Sequence, residues 1–331
     1  MSSKYLTFSI YVFNIANYER YREDPTHTMK IPFKKIRNGI SQLIVRPVFF
    51  FIPRMPLVVV RLLSDTIFYT IFPLFLIVPG MKTQIFENID IAYGDDMTKK
   101  EKFRIVRLAL RNTFRLPGEC IYYGLNKDPK KLVDDVKIVG MEHFRRALEK
   151  GTGAIAIGSH TGNFVNMVTR MAREDVPYVI LTKKIKNDAI NDAYNEGKER
   201  CGVRHIDVKK RSDNMSAIRR ALRDNRIVHF IVDERKKRGG IMVPFFGKPA
   251  PTATGPAILS LDTGAPLIPI FITHRNGFKQ VIEILPPLDV ELTGDRNTDI
   301  FNLTAAGNQV IEDYIRTYPE QWSWVNPRWK T

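Results

Sequence analysis

Three short segments of the chain end in residues able to act on a substrate. The first is Ala154-Ile-Ala-Ile-Gly-Ser-His160-Thr-Gly-Asn163, an apolar run closed by a histidine with glycines on both sides. An imidazole titrates close to neutral pH, so a histidine at a strand end can take a proton as general base. The competing reading is a surface histidine that caps the next helix. The second segment, Tyr178-Val-Ile-Leu-Thr-Lys183-Lys184-Ile-Lys186-Asn187, ends in cations fit for an anion clamp or for a solvated basic turn. The third, Ile231-Val-Asp233-Glu234-Arg235, opens a stretch that carries cations and no acid as far as Lys248. Such a run is usually a solvated loop. Here it joins two apolar strand patterns, where a phosphate site is expected.

Other chemistries are missing from the sequence. There is no GxSxG elbow, since Gly158 and Ser159 are adjacent, and no P-loop or GxGxxG fingerprint. The six histidines show no metal-ligand spacing, and Cys120 and Cys201 stand far apart. Neither a metal nor another cofactor is expected, and two isolated cysteines fit a reducing compartment. A formal charge of +16 on 331 residues points to an acidic partner. Nucleic acid is disfavoured, because the cations are not interleaved with the aromatics of strand-binding grooves.

The elements that must carry these segments follow from periodicity. From about Met141 onward, short apolar runs alternate with helical patterns, which predicts an α/β fold with a mixed, largely parallel sheet flanked by helices. Helices are expected over HFRRALEK up to Gly151, after Gly162, over 189–200, after a Ser212-Asp213-Asn214 cap, and over 303–316. Strands are expected at AIAIG, YVILT, VRHIDV, IVHFIV, IMVPFF, PLIPIFI and QVIEIL. Thr98 and Glu101 have capping-box spacing and start an amphipathic basic helix that Pro117-Gly118 should break.

Residues 41–81 are strongly apolar, interrupted by Arg46, Arg54, Arg61 and Asp65. The longest uncharged run, 66–81, contains Pro73 and Pro79 and falls short of the ~20 residues of a clean span. A kinked or interfacial membrane segment with snorkelling arginines is expected, against the alternative of a buried helix pair. The chain thus divides into a membrane-associating helical segment, 1–82, and an α/β domain, 83–331. No cleavable leader is evident, so the α/β domain is expected on the cytoplasmic side.

Taken in order, these motifs resemble a known family. They are His160-Thr-Gly-Asn, Lys183-Lys184, Asp233-Glu234-Arg235, Phe245-Phe-Gly-Lys-Pro-Ala, Thr254-Gly-Pro-Ala and Ala265-Pro-Leu-Ile-Pro269-Ile. Glu87-Asn-Ile-Asp-Ile-Ala, Val139-Gly-Met-Glu-His-Phe and Tyr318-Pro-Glu-Gln-Trp-Ser-Trp join them. The chain resembles the lysophospholipid acyltransferase superfamily, on the branch of lipid A biosynthesis (lauroyl/myristoyl) acyltransferases, over about residues 80–328. The resemblance implies a membrane-bound acyltransferase of the cell inner membrane, on its cytoplasmic face. His160 would be the general base that lets a hydroxyl of a lipid or glycolipid acceptor attack an acyl thioester of acyl carrier protein or coenzyme A. It also implies that Lys183, Lys184 and Arg235 bind the acceptor's anionic headgroup, with Asn163 at the substrate. The family motif His-x4-Asp/Glu places its acid at Val165, so the residue that orients the base has been replaced. Asn163, Asn166, Asp233 and Glu234 are the candidate substitutes, with Asn166 or Glu234 favoured. If none reaches His160, the chain is a weak or inactive relative that binds lipid or carrier protein.

Overall fold

The computed structural model describes residues 47–77, 81–126, 130–185, 188–207, 211–236, 239–275 and 279–329. Most of the segment 1–82 therefore lies outside the described residues, as do Lys186 and Asn187. Helices α1 (Leu57–Ile77), α2 (Met81–Tyr93) and α3 (Lys99–Leu125) come first. Then follow α4 (Lys130–Asp135), β1 (Val136–Val139), α5 (Met141–Glu149), β2 (Ala154–Gly158), α6 (Phe164–Met171), β3 (Tyr178–Thr182), α7 (Asp188–Arg200) and β4 (Arg204–Asp207). The chain continues through α8 (Arg211–Arg223), β5 (Ile227–Ile231), β6 (Gly240–Phe245), β7 (Lys248–Ala253), α9 (Gly255–Thr263), β8 (Leu267–Arg275), β9 (Lys279–Ile284) and α10 (Arg296–Thr317).

Seven strands form one mixed sheet in the order β1-β9-β8-β2-β5-β3-β4. Its pairs are parallel except for β8 with β9. Every residue of β2 is buried, as a central strand covered on both faces requires. Its side chains alternate: Ala154 and Ala156 pack with Met167 and Ile268, while Ile155 and Ile157 pack with Leu259 and Leu303.

The periodicity predicts most of this architecture, and the departures have local causes. Helix α3 does not break at Pro117-Gly118. It runs through both, and Gly118 is where α1 approaches: a Cβ there would lie 3.0 Å from Val60 Cγ1. Ser212, Asp213 and Asn214 lie inside α8 rather than ahead of it. The last helix begins at Arg296, capped by Asp295, whose side chain accepts from Thr298 N. Strand β7 (KPAPTA) is hidden in sequence by its two prolines, which a two-stranded antiparallel ribbon with β6 tolerates.

Helix α1 corrects the reading of the apolar stretch. Arg61, Asp65 and Pro73 do not interrupt it, and Arg61 does not reach for headgroups. Arg61 Nε donates to Glu119 Oε1 at 2.7 Å, with both side chains almost wholly buried. Asp65 takes a fork from Arg111 (3.0 and 2.5 Å) and another from Arg115 (2.6 and 2.5 Å). Both charges of α1 thus point into α3 and are neutralised there. The opposite face exposes Leu62, Leu63, Ile67, Leu74 and Ile77, the last of them 75% exposed. The hydroxyls of Thr66 and Thr70 on that face donate back to the carbonyls of Leu62 and Thr66. Among the described residues, α1 is the helix long and apolar enough to cross a membrane.

Candidate active site

Parallel pairing decides which loops meet. Gly158 pairs with Ile231 at the ends of β2 and β5, and Val232 N donates to Gly158 O at 3.0 Å, which carries the pairing one residue further. The two following turns therefore leave the same sheet edge side by side. His160 Nδ1 lies 2.8 Å from Asp233 Oδ1, and His160 N donates to Asp233 Oδ2 at 2.9 Å. Trp322 Nε1 donates to that same Oδ2 at 2.7 Å. Asp233 thus receives three N–H groups while 2% exposed. An ionised carboxylate only accepts, so Nδ1 carries a proton and Nε2 is the nitrogen left for chemistry. Glu234 Oε1 stands 3.8 Å from Nε2.

The glycines of the turn are packed closely against neighbouring strands. A Cβ on Gly162 (φ +56) would fall 2.3 Å from Ile272 O, and one on Gly158 would fall 2.8 Å from His229 Nε2. A C-terminal segment pins the turn from the other side. Gly162 N donates to Gln321 O at 2.8 Å and Ser323 N to His160 O at 3.1 Å, forming a short antiparallel bridge between Thr161 and Trp322. The imidazole also meets Phe164 edge-on, with ring centres 5.0 Å apart.

Electrostatics follow from the same contacts. Burial opposes charge on the His160 ring, but the charge and hydrogen bond of Asp233, with Glu234 adding, outweigh it and push the pKa up to about 9. Burial likewise opposes charge on Asp233, and the facing imidazole and N–H donors still hold it below the usual carboxylate range. The cleft beside His160 is lined by Ala109, Asn112, Thr113 and Leu116 of α3, by Gly162, Phe164 and Glu234, and by Gln321–Asn326 except Trp324. The wall is mixed, with apolar and hydrogen-bonding groups within reach of one imidazole.

The sequence candidates separate in the structure. His160, Asp233 and Glu234 come together. Asn166 does not join them: its backbone N–H bonds Asn163 Oδ1 at 3.1 Å and its amide faces Gln280 at 3.5 Å. Asn163 is no open substrate group either. It is 1% exposed, caps α6, and donates to Glu119 Oε2 at 2.9 Å. Val165 sits half-buried in the first turn of α6. Lys183 and Lys184 are exposed beyond β3, and Arg235 is half-buried beyond β5, on the edge of the sheet that carries His160 but outside the cleft lining. Sequence reading overlooked Trp322 and Glu119 as site groups. Trp322 lay in plain view in Trp-Ser-Trp, and Glu119 is an acid in the apolar stretch that follows Leu116.

The model of the family described as bacterial lipid A biosynthesis acyltransferase matches residues 30–331. The chain is 24% identical over 220 residues to phosphatidylinositol mannoside acyltransferase of Mycolicibacterium smegmatis, covering 66% of this chain and 68% of that protein. It is 25% identical over 222 residues to the protein of that name from Mycobacterium tuberculosis (strain ATCC 25618 / H37Rv), covering 66% of each. Against lipid A biosynthesis lauroyltransferase of Escherichia coli (strain K12) it is 26% identical over 204 residues, spanning 59% of this chain and 62% of that one.

Proposed function

The chain belongs to the bacterial lipid A biosynthesis acyltransferase family and is an acyltransferase, and on that premise we propose that it moves a fatty acyl chain from an acyl thioester, carried on acyl carrier protein or coenzyme A, to a hydroxyl of a lipid or glycolipid. The observation that carries the reading is the His160–Asp233 pair opening on a part-apolar cleft. His160 Nε2 removes the proton of the acceptor hydroxyl as its oxygen attacks the thioester carbonyl. The C–O bond forms, the tetrahedral intermediate collapses with loss of the C–S bond, and the imidazolium returns its proton to the departing thiolate. Asp233 holds Nδ1–H in place and balances the imidazolium. It takes the part that Val165 cannot, which favours an active enzyme over a lipid-binding relative without activity.

Lys183, Lys184 and Arg235 are assigned to an anionic headgroup, Arg235 by its fork and the lysines as point charges. Residues 1–82 form the membrane-associating segment and 83–331 the acyltransferase domain, at the cytoplasmic face of the inner membrane. In this reading α1 lies in the interface rather than crossing it, because its charged face packs on α3 and only the opposite, uncharged face is left for lipid. Its threonine hydroxyls are already satisfied, as hydrocarbon demands. Packing of Phe72 on Phe103 brings its C-terminal half to the start of α3, where Lys99, Lys100, Arg104 and Arg107 are exposed and suited to anionic lipid. The test is mass spectrometry of lipids from cells with and without the gene. One lipid class should carry an additional acyl chain only when the gene is present, and identical profiles would defeat the proposal.

A further inference from the structure

Glu119 is a buried acid that the acyl-transfer mechanism leaves without a part. It is 1% exposed, and its two oxygens serve different elements. Oε1 accepts from Arg61 of α1 at 2.7 Å, and Oε2 accepts from Asn163 Nδ2 at 2.9 Å with His274 Nε2 3.4 Å away. Burial alone would raise its pKa, but His274, Arg61 and Asn163 together hold it at about 2, so the group stays an acceptor. That dictates how the Asn163 amide lies. Its NH2 faces Glu119 and its oxygen faces Asn166 N, the first turn of α6. Asn163 stands three residues after His160. The bridge to Gln321 and Ser323 pins the turn on one side, and the Glu119–Asn163 bond pins it on the other.

We propose that Glu119 is a positioning residue for the base: acting through Asn163, it fixes the turn that carries His160, with Arg61 of α1 as its counter-charge. The inference rests on His160 being the base. A buried ion pair kept only for stability would be replaceable without harm to the chemistry. A positioning acid would not be, since small displacements of a catalytic group cost rate steeply.

The full-length enzyme tests this through release of thiol from palmitoyl-coenzyme A, or from palmitoyl-acyl carrier protein if that is the donor accepted. A detergent-dispersed bacterial lipid extract serves as acceptor, and unfolding temperatures are measured alongside. Glutamine at 119 has one oxygen, which the Arg61 N–H claims, leaving an NH2 against the Asn163 NH2. Glu119→Gln should lower kcat about tenfold or more with the donor KM unchanged. In Arg61→Met/Glu119→Gln the oxygen is free to turn to Asn163, and kcat should recover to within about threefold of wild type. Asn163→Ser keeps a cap oxygen but cannot reach Glu119, and should match Glu119→Gln in kcat. Full activity in Glu119→Gln, or a folded double variant with no recovery, overturns the inference while His160→Ala stays dead. Activity surviving in His160→Ala overturns the base assignment and this inference with it.

Discussion

Asp233→Asn is the perturbation that isolates the dyad, because it changes one atom and leaves the volume alone. In the wild type Oδ2 accepts from two fixed donors, His160 N at 2.9 Å and Trp322 Nε1 at 2.7 Å, while Oδ1 faces Nδ1 at 2.8 Å. Neither donor can be reversed, so the asparagine oxygen must take the Oδ2 position and its NH2 must face Nδ1. The imidazole then settles with its proton on Nε2, the nitrogen that has to accept one. The counter-charge for the imidazolium is lost as well. Losing the orienting acid of a catalytic triad costs about 10⁴ in rate, or ~5 kcal/mol of barrier, and the same is expected here. The variant keeps its three hydrogen-bonding neighbours, so it should fold and bind donor with little change in KM. Single-turnover acyl transfer at pH 8, with unfolding temperature recorded, reads both quantities. Activity within about tenfold of wild type in the folded variant would refute the tautomer argument.

Other outcomes follow from the same contacts. The base must be neutral to act and its pKa is raised to about 9, so kcat/KM should climb from pH 7 toward 9; Glu234→Gln, which removes the charge 3.8 Å from Nε2, should move that limb to lower pH. For stability the sign is opposite: a histidine pKa above its unfolded value of ~6.5 contributes fully below that pH, so the contribution should fade between about 6.5 and 9, checked by denaturant titration of wild type against His160→Ala. Leu62→Glu/Ile67→Glu places charge on the uncharged face of α1 and should release the protein from anionic vesicles in a flotation assay without unfolding it. Arg235→Ala should raise the acceptor's apparent KM, and a change confined to the donor's would reverse that assignment.

The parts of the fold set by local pattern were legible in the sequence. AIAIG and YVILT read as buried strands because continuous apolar runs between helices have few other homes. The Thr98–Glu101 cap was visible because both of its hydrogen bonds lie within four residues. What stayed hidden depends on tertiary neighbours. Pro117 looks like a break, yet Gly118 beside it is where α1 packs. Arg61 and Asp65 look like interruptions of an apolar helix until their partners on α3 are known. The acid beside His160 is hidden for the same reason. Val165 stands where the resemblance leads us to expect the acid, on the following helix, while the carboxylate that meets His160 arrives from Asp233, 73 residues on, because β5 lies next to β2. Strand order is not written in the residues around either group, and sequence reading favoured Asn166 or Glu234 over the acid that makes the contact.

The most direct measurement of the central claim is ester formation by purified His160→Ala. Wild type and variant would be given the same acyl thioester and the same lipid extract in detergent micelles, with acylated lipid counted by mass spectrometry and folding checked by unfolding temperature. The account predicts acylated lipid from wild type and none above background from a variant that melts as a folded protein. Product from folded His160→Ala at more than about a tenth of the wild-type rate would contradict it.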